Sequence, residues 1–244
     1  MAPPAQPSRT FSSIQDIPRT ALAIYAHPDD PFISCAGTLA LWAEAGCNVD
    51  VVICTRGEKG SRNASSDPRE LAAVREKEAS RSAEVIGCNT PHLLGYPDGE
   101  MENNLDLVGK LVRCIREVQP EVVFCPDPTA VLFGEEYINH RDHRIIGMAT
   151  LDALSPAAAM PLYFPEAGKP HQVDYAYLSG TLEPSVWIDI TASITKKVAS
   201  IECQKSQVDS AEWIGDLIRE RARGEGQKVG ASFAESFRRV HTGA

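Results

Sequence analysis

The sequence predicts an α/β fold: a single Rossmann-like three-layer α/β/α domain built on a mostly parallel sheet. Short apolar runs such as Ala21–Tyr25 and Val49–Cys54 read as buried strands. They alternate with stretches of helical periodicity, which implies parallel strands joined by helices that cover both faces of the sheet. No internal repeat or linker divides the 244 residues, a length that suits one sizeable α/β core.

Residues 1–18 are rich in Pro, Ser and Gln and read as a flexible N-terminal arm, leaving 19–244 as the domain. Ala21–Tyr25 is the first strand, Ser34–Gly46 a helix capped at Ser34, and Val49–Cys54 the second strand. Asp67-Pro68-Arg69-Glu70 supplies a cap, a proline in the first turn and an acid at N3, so a helix runs from there to Gly87. His92–Leu94 is a short third strand. Leu105, Val108, Leu111, Val112 and Ile115 recur at helical spacing, and Pro120 closes that helix. Val122–Cys125 is the fourth strand, and a helix beginning near His140 continues through Ile145–Leu154. Strands near Tyr175–Leu178 and Val186–Ile190 follow, then helical segments near 192–204 and 210–223.

The formal net charge of -9 and pI near 5.2 argue against nucleic acid or an anionic membrane as partner. Seven cysteines form no CxxC pair and mostly lie within apolar runs, as reduced core residues of a cytosolic protein do. The first twenty residues lack the apolar core of a signal peptide, and no apolar run reaches the roughly 20 residues of a membrane helix. A soluble, cytoplasmic protein is expected. Its oligomeric state is open, a homo-oligomer included.

The chemistry concentrates in two segments. "AHPDD" (26–30) follows the first strand, and "NHRDHR" (139–144) follows the fourth by way of "CPDPT" and "AVLFGEEYI". In doubly wound sheets ligands bind beyond the C-terminal strand ends where strand order reverses, and these two strands are natural neighbours there. His27, Asp30 and His143 then supply two imidazoles and one carboxylate, the ligand count of a catalytic zinc site that keeps a position for water. Asp29 is left to act as base, His140 to stabilise a developing oxyanion, and Asp142 to orient or charge His140. The plainer alternatives are an Asp-capped turn for HPDD and a helix-dipole role for Asp142. At the same sheet edge "TRGEKGSR" offers Arg56, Lys59 and Arg62 for a phosphate, carboxylate or hydroxyl, with Arg56 nearest the strand end. The 126–138 loop is apolar enough to read as a lid, with Tyr137 as a second oxyanion donor; core packing is the alternative.

Taken together, "AHPDD", "CAGTLALWA", "CTRGEKGS", "LGYPDGE" and "NHRDHR" resemble the LmbE/PIG-L de-N-acetylase family across roughly residues 20–210. The resemblance implies a Rossmann-like fold, a catalytic zinc and removal of acetyl groups from N-acetylglucosamine-type amides. It places the metal ligands on His27, Asp30 and His143, the general base on Asp29 and the oxyanion-stabilising histidine on His140. It also makes Asp98 of "GYPDGE" a sugar-hydroxyl contact, where a turn role is the alternative. The chain departs from the family pattern at Pro31, where Glu is common, and at Ala36, which replaces the first of two paired glycines. A residue preceding proline favours extended backbone, so Pro31 predicts an extended Asp30.

Three other functions remain open from sequence. A hydratase acting on an unsaturated dicarboxylic acid would draw its cationic contacts from Arg56, Arg62, Arg141 or Arg144. A non-haem iron oxygenase also uses two histidines and one carboxylate, but normally as HxD rather than HxxD, and the neighbouring Asp29 suits hydrolysis better; Zn2+ is the expected metal, with some capacity for Fe2+. A binding module without catalysis is the third.

Overall fold

The computed structural model describes residues 10–12, 17–208 and 211–243. Five parallel strands form the heart of an eight-stranded sheet: β2 (Thr20–Tyr25), β3 (Asn48–Thr55), β4 (His92–Tyr96), β5 (Val122–Pro126) and β8 (Tyr175–Ser179). The chain steps outward from β2 through β3 to β4, then returns so that β5 pairs with the other side of β2, in register Ala21 with Val122. Strand order therefore reverses between β2 and β5, and the crevice above that pair is where a ligand site is expected. Beyond β8 lie the antiparallel β10 (Ala234–His241), then β9 (Val186–Asp189), then β1 (Thr10–Ser12). A separate two-stranded hairpin, β6 (Leu132–Phe133) with β7 (Tyr137–Ile138), rises after β5.

Alternation along β2 shows the three layers. Ala21, Ala23 and Tyr25 face one core with α2 (Ala36–Glu44), α3 (Pro68–Ile86), α6 (Ile194–Glu202) and α7 (Ala211–Gln227). Leu22 and Ile24 face the other, with α4 (Leu105–Val118) and α5 (Arg141–Asp152). Helix α3 starts as its sequence indicates: the Asp67 carboxylate accepts the Arg69 N–H at 2.8 Å, Pro68 opens the helix, and Gly87 closes it at φ 79°.

Several elements differ from expectation. The first helix is not capped at Ser34; it begins at Asp30, and α1 (Asp30–Ser34) breaks at Cys35 before α2 resumes. Asp30 is thus the first helical residue rather than the extended one that Pro31 predicts. A proline in a helix's opening turn loses no intrahelical hydrogen bond, and the Asp30 carboxylate accepts the His27 N–H at 2.8 Å across the turn. Helix α2 is capped from far away, by Glu235 on β10, which accepts the N–H groups of Gly37 at 2.9 Å and Thr38 at 2.8 Å. A Cβ on Gly37 would meet Ile190 at 2.7 Å and Glu235 at 3.0 Å, so only glycine fits that approach. Strand β10 is absent from the sequence-based expectation because its charged residues mask the strand pattern. Of residues 1–18, Thr10–Ser12 form β1, Ile17 and Pro18 lead into β2, and the remainder lies outside the described residues. No helix among the described residues is long and apolar enough to cross a membrane.

Glu235 also meets Lys197 Nζ at 2.5 Å with both side chains 5% exposed. Removing one member of such a pair strands a buried charge. Glu235→Ala is expected to lower stability by about 3–5 kcal/mol. Denaturant unfolding checks this; a loss well under 1 kcal/mol would show that water replaces the carboxylate at no cost.

Candidate metal and catalytic site

The 26–30 turn is pinned to the sheet by main-chain bonds: Ala26 O accepts both the N–H and the hydroxyl of Thr55, at 2.9 and 3.0 Å. From the other side of the switch point, β5 and the hairpin deliver Asn139 and then His140, which caps α5. His27 Nδ1, His143 Nε2 and the Asp30 carboxylate converge there. His27 Nδ1 lies 3.2 Å from His143 Nε2 and 3.3 Å from Asp30 Oδ2, and His143 Nε2 lies 3.1 Å from Asp30 Oδ1. A divalent cation with four tetrahedral bonds of about 2.0–2.1 Å holds its ligand atoms about 3.3–3.4 Å apart, close to these spacings, with Asp30 meeting the two rings through different oxygens. His27, His140 and His143 also form a group of donor atoms within 4.8 Å of one another. The His140 ring stands beside this triangle, its centroid 4.9 Å from that of His27 and 5.4 Å from that of His143.

Each imidazole has its tautomer set by a partner that can play only one role. His27 Nε2 faces two carboxylates, Asp98 Oδ1 at 3.1 Å and Asp142 Oδ2 at 3.7 Å, so it carries the proton and Nδ1 is left facing the triangle. His140 Nδ1 accepts the Asp142 main-chain N–H at 3.2 Å, so the proton of the neutral ring sits on Nε2. His143 Nδ1 lies 3.1 Å from Asn139 Oδ1, which turns Nε2 toward the triangle.

Asp29 points away from its neighbour. Its Oδ1 accepts a hydrogen bond from Arg75 Nη2 at 2.9 Å, and Arg75 Nη1 donates to Gly57 O at 2.8 Å. Gly57 and Gly60 of the "TRGEKG" segment pack directly on the guanidinium, where any Cβ would collide with it, and Gly57 has φ 62°. Burial and the adjacent Asp30 charge raise the Asp29 carboxyl above its ordinary range, with Arg75 and His27 pulling it partly back. Burial pushes Asp30 the same way, but His143 and His27 outweigh it and hold Asp30 well below that range. Burial opposes charge on His27, yet Asp30, Asp142 and Asp98 push this imidazole up to about 12. His140 is lowered by burial and by the other two histidines.

The structure therefore gathers His27, Asp29, Asp30, His140, Asp142 and His143 in one crevice. Asp98 joins them, but its carboxylate contacts His27 and the Lys59 N–H at 3.1 Å rather than standing free. Asp142 meets His140 only through its main chain; its Oδ2 accepts the Gly99 N–H at 2.7 Å and leans toward His27. Arg56 is exposed at the end of β3 and makes no ion pair or hydrogen bond among the described residues. Tyr137, 50% exposed, stacks near Phe133 on the hairpin, 5.8 Å between centroids, and touches none of the site histidines. Sequence reasoning missed Arg75 and Asn139. Arg75 had a visible signal, since it interrupts the buried face formed by Ala72, Ala79, Ala83 and Ile86. Asn139 had none.

A doubly wound sheet with two histidines and one carboxylate at its switch point, flanked by a further acid and a further histidine, defines an α/β fold whose crevice offers a possible metal site. The chain belongs to the PIG-L (GlcNAc-PI de-N-acetylase) family, whose profile matches residues 22–154, more than half of the sequence. It is 29% identical over 228 residues to the diacetylchitobiose deacetylase of Thermococcus kodakarensis, covering 91% of this chain and 83% of that protein. The structure of N,N'-diacetylchitobiose deacetylase from Pyrococcus horikoshii, complexed with its inhibitor MPG, superposes with a TM-score of 0.84 at 28% identity. The match covers 93% of this chain and 85% of that one. The 4-oxalmesaconate hydratase of Pseudomonas putida is 26% identical over 237 residues, covering 90% and 86% of the two chains.

A cation entering the triangle must displace protons from raised imidazoles, so binding competes with H+. With His27 up to about 12 and His143 also raised, metal affinity is expected to climb steadily from about pH 6 to pH 9. Chelator competition across that range measures it; a flat profile would show that the histidines are already neutral.

Proposed function

We propose that this chain is a zinc-dependent hydrolase that removes the acetyl group of an N-acetylated amine, of the N-acetylglucosamine type. The observation that carries this reading is the divergence of two consecutive acids: Asp30 turns into the ligand triangle while Asp29, one residue earlier, stays outside it against Arg75. His27, Asp30 and His143 would hold the ion; iron suits the same donors and is the lesser alternative. Bound there, zinc would supply a Lewis acid and would lower the pKa of water to roughly 7.

The protein's own groups account for the proton transfers. Asp29 accepts the proton of the attacking water as its oxygen adds to the amide carbonyl carbon. Its raised affinity for protons suits that task, and Arg75 keeps enough of it ionised to begin. His140, exposed and with its proton on Nε2, donates to the oxyanion of the tetrahedral intermediate. Asp29 then returns the proton to the nitrogen as the C–N bond breaks, giving acetate and the free amine. Arg56, just after β3, and Tyr137, on the hairpin that leads to His140, are exposed and are assigned to substrate contact on that ground. All seven cysteines are unpaired, which suits a reducing compartment such as the cytoplasm.

The likeness to a hydratase supports a second reading, addition of water to an unsaturated dicarboxylate, in which Asp29 serves the same water. Acetate release from a panel of N-acetylated sugars and sugar conjugates is the expected result. Hydration of the dicarboxylate without acetate release would reverse the order of the two.

The adjacent acids should fail differently on amide substitution. Asp29→Asn is expected to lose about 10²–10⁴ in kcat with metal retained. Asp30→Asn should lose metal, with activity partly restored by excess zinc. Equal metal loss in both would erase the distinction. Arg75→Gln removes a cation that lowers the Asp29 pKa, so the acid limb of the kcat–pH profile should move to higher pH, with activity recovered on the alkaline side. An unmoved limb would make Arg75 a purely structural residue.

A further inference from the structure

The β6–β7 hairpin exposes much of its apolar surface. Leu132 is 57% exposed, Tyr137 50% and Ile138 69%, and the Phe133 ring packs near Tyr137 with its tip toward Gly180. A two-stranded hairpin without a core of its own is marginal in water, so its position depends on its base. That base is Asn139, 6% exposed. Its main-chain N–H donates to Val131 O at 2.9 Å and its Nδ2 donates to Ala130 O at 2.8 Å, so one residue gathers both ends of the hairpin. The same amide faces metal ligand His143 through Oδ1 at 3.1 Å.

The two side-chain contacts determine each other. A carbonyl oxygen can only accept, so the NH2 of Asn139 must face Ala130. Oδ1 then faces the imidazole and accepts from Nδ1–H, which leaves the Nε2 lone pair directed at Asp30 and His27. An apolar side chain of similar size would leave Ala130 O and His143 Nδ1 without partners and would release the ring to turn.

We propose that Asn139 is a positioning residue that holds His143 as a metal ligand with one end of its amide and the hairpin over the site edge with the other. The proposal rests on the zinc reading above and extends it by making metal affinity and hairpin order properties of one side chain.

Asn139→Asp and Asn139→Ala separate the two ends. The carboxylate of Asn139→Asp can still accept from His143 Nδ1 but cannot donate to Ala130 O. It should bind zinc at least as tightly as wild type while amide hydrogen exchange in 131–138 speeds up about tenfold or more. Asn139→Ala loses both contacts and should show the same fast exchange together with a 10–100-fold weaker zinc affinity, read by chelator competition. Equal zinc loss in the two variants, or wild-type exchange in both, would overturn the proposal. Should Asn139→Ala fail to fold, Asn139→Asp, nearly identical in shape, still decides whether exchange and affinity part company. A wild-type protein that binds no zinc would instead remove the zinc reading and with it the His143 half, whereas hairpin exchange in the metal-free variants would still test the other half.

Discussion

An imidazole offers a lone pair only at the nitrogen that carries no proton, and everything at this site depends on which nitrogen that is. The proposed chemistry needs two rings to direct an unprotonated nitrogen inward, His27 by Nδ1 and His143 by Nε2, and a third, His140, to keep a proton on Nε2. Nothing in the rings themselves makes that choice. Acceptors make it for His27 and His143, in the Asp98 and Asp142 carboxylates and the Asn139 carbonyl, and a main-chain donor makes it for His140. Each partner is in turn held by the fold: Asp142 by the Gly99 N–H, Asp98 by the Lys59 N–H, Asn139 by the carbonyl of Ala130. The orientation of the three rings is thus a consequence of hydrogen bonds one layer further out, the arrangement that the proposed metal site requires.

That outer layer explains the position of the motifs. Because β2 and β5 are adjacent but lead in opposite directions through the topology, the turns that follow them face each other across one crevice. The loop after β3 closes the third side, and its glycines exist to admit the Arg75 guanidinium from α3. The "TRGEKG" segment is therefore a cover for a buried arginine, and its Lys59 is drawn to the Asp98 main chain at 2.6 Å and to Glu100 rather than to a ligand. Charge in this region is arranged in pairs: Arg75 with Asp29, His27 with Asp98, His143 with Asp30. A buried group left without such a partner would shift its protonation until it was neutral.

What could be read from the residues alone was what short stretches decide locally. The Asp67-Pro68 start and Gly87 stop of α3 are chemistry confined to a few positions, and so is the His-Asp spacing in "AHPDD" and "HRDH". The mostly parallel sheet, with the first and fourth strands as neighbours, followed from the alternation of strand and helix, but the full strand order did not, since β10 was not foreseen. Contacts between distant segments were not readable, such as Glu235 capping α2 or Asp98 turned onto His27, and neither was the short-range contact of Asn139, which looks like any loop asparagine. Pro31 illustrates the limit most clearly. Its local rule favours an extended Asp30, yet Asp30 enters a helix, because the carboxylate gains the His27 N–H and two imidazoles in doing so.

The same helical entry resolves the doubled aspartate. Consecutive residues at a helix start project about 100° apart, so placing Asp30 at the first helical position sends Asp29 in another direction. One acid meets two imidazoles and stays ionised; the other meets a single guanidinium, partial burial and the negative charge of its neighbour, and holds a proton more readily. The repulsion between them raises the Asp29 pKa further, because ionising it costs more beside a carboxylate that is committed to the triangle. Two identical side chains, one peptide apart, thus differ in their affinity for protons, which is what the proposed division into ligand and base requires. An isolated acid at this turn could not fill both roles, and a pair on a strand would alternate to opposite faces of the sheet.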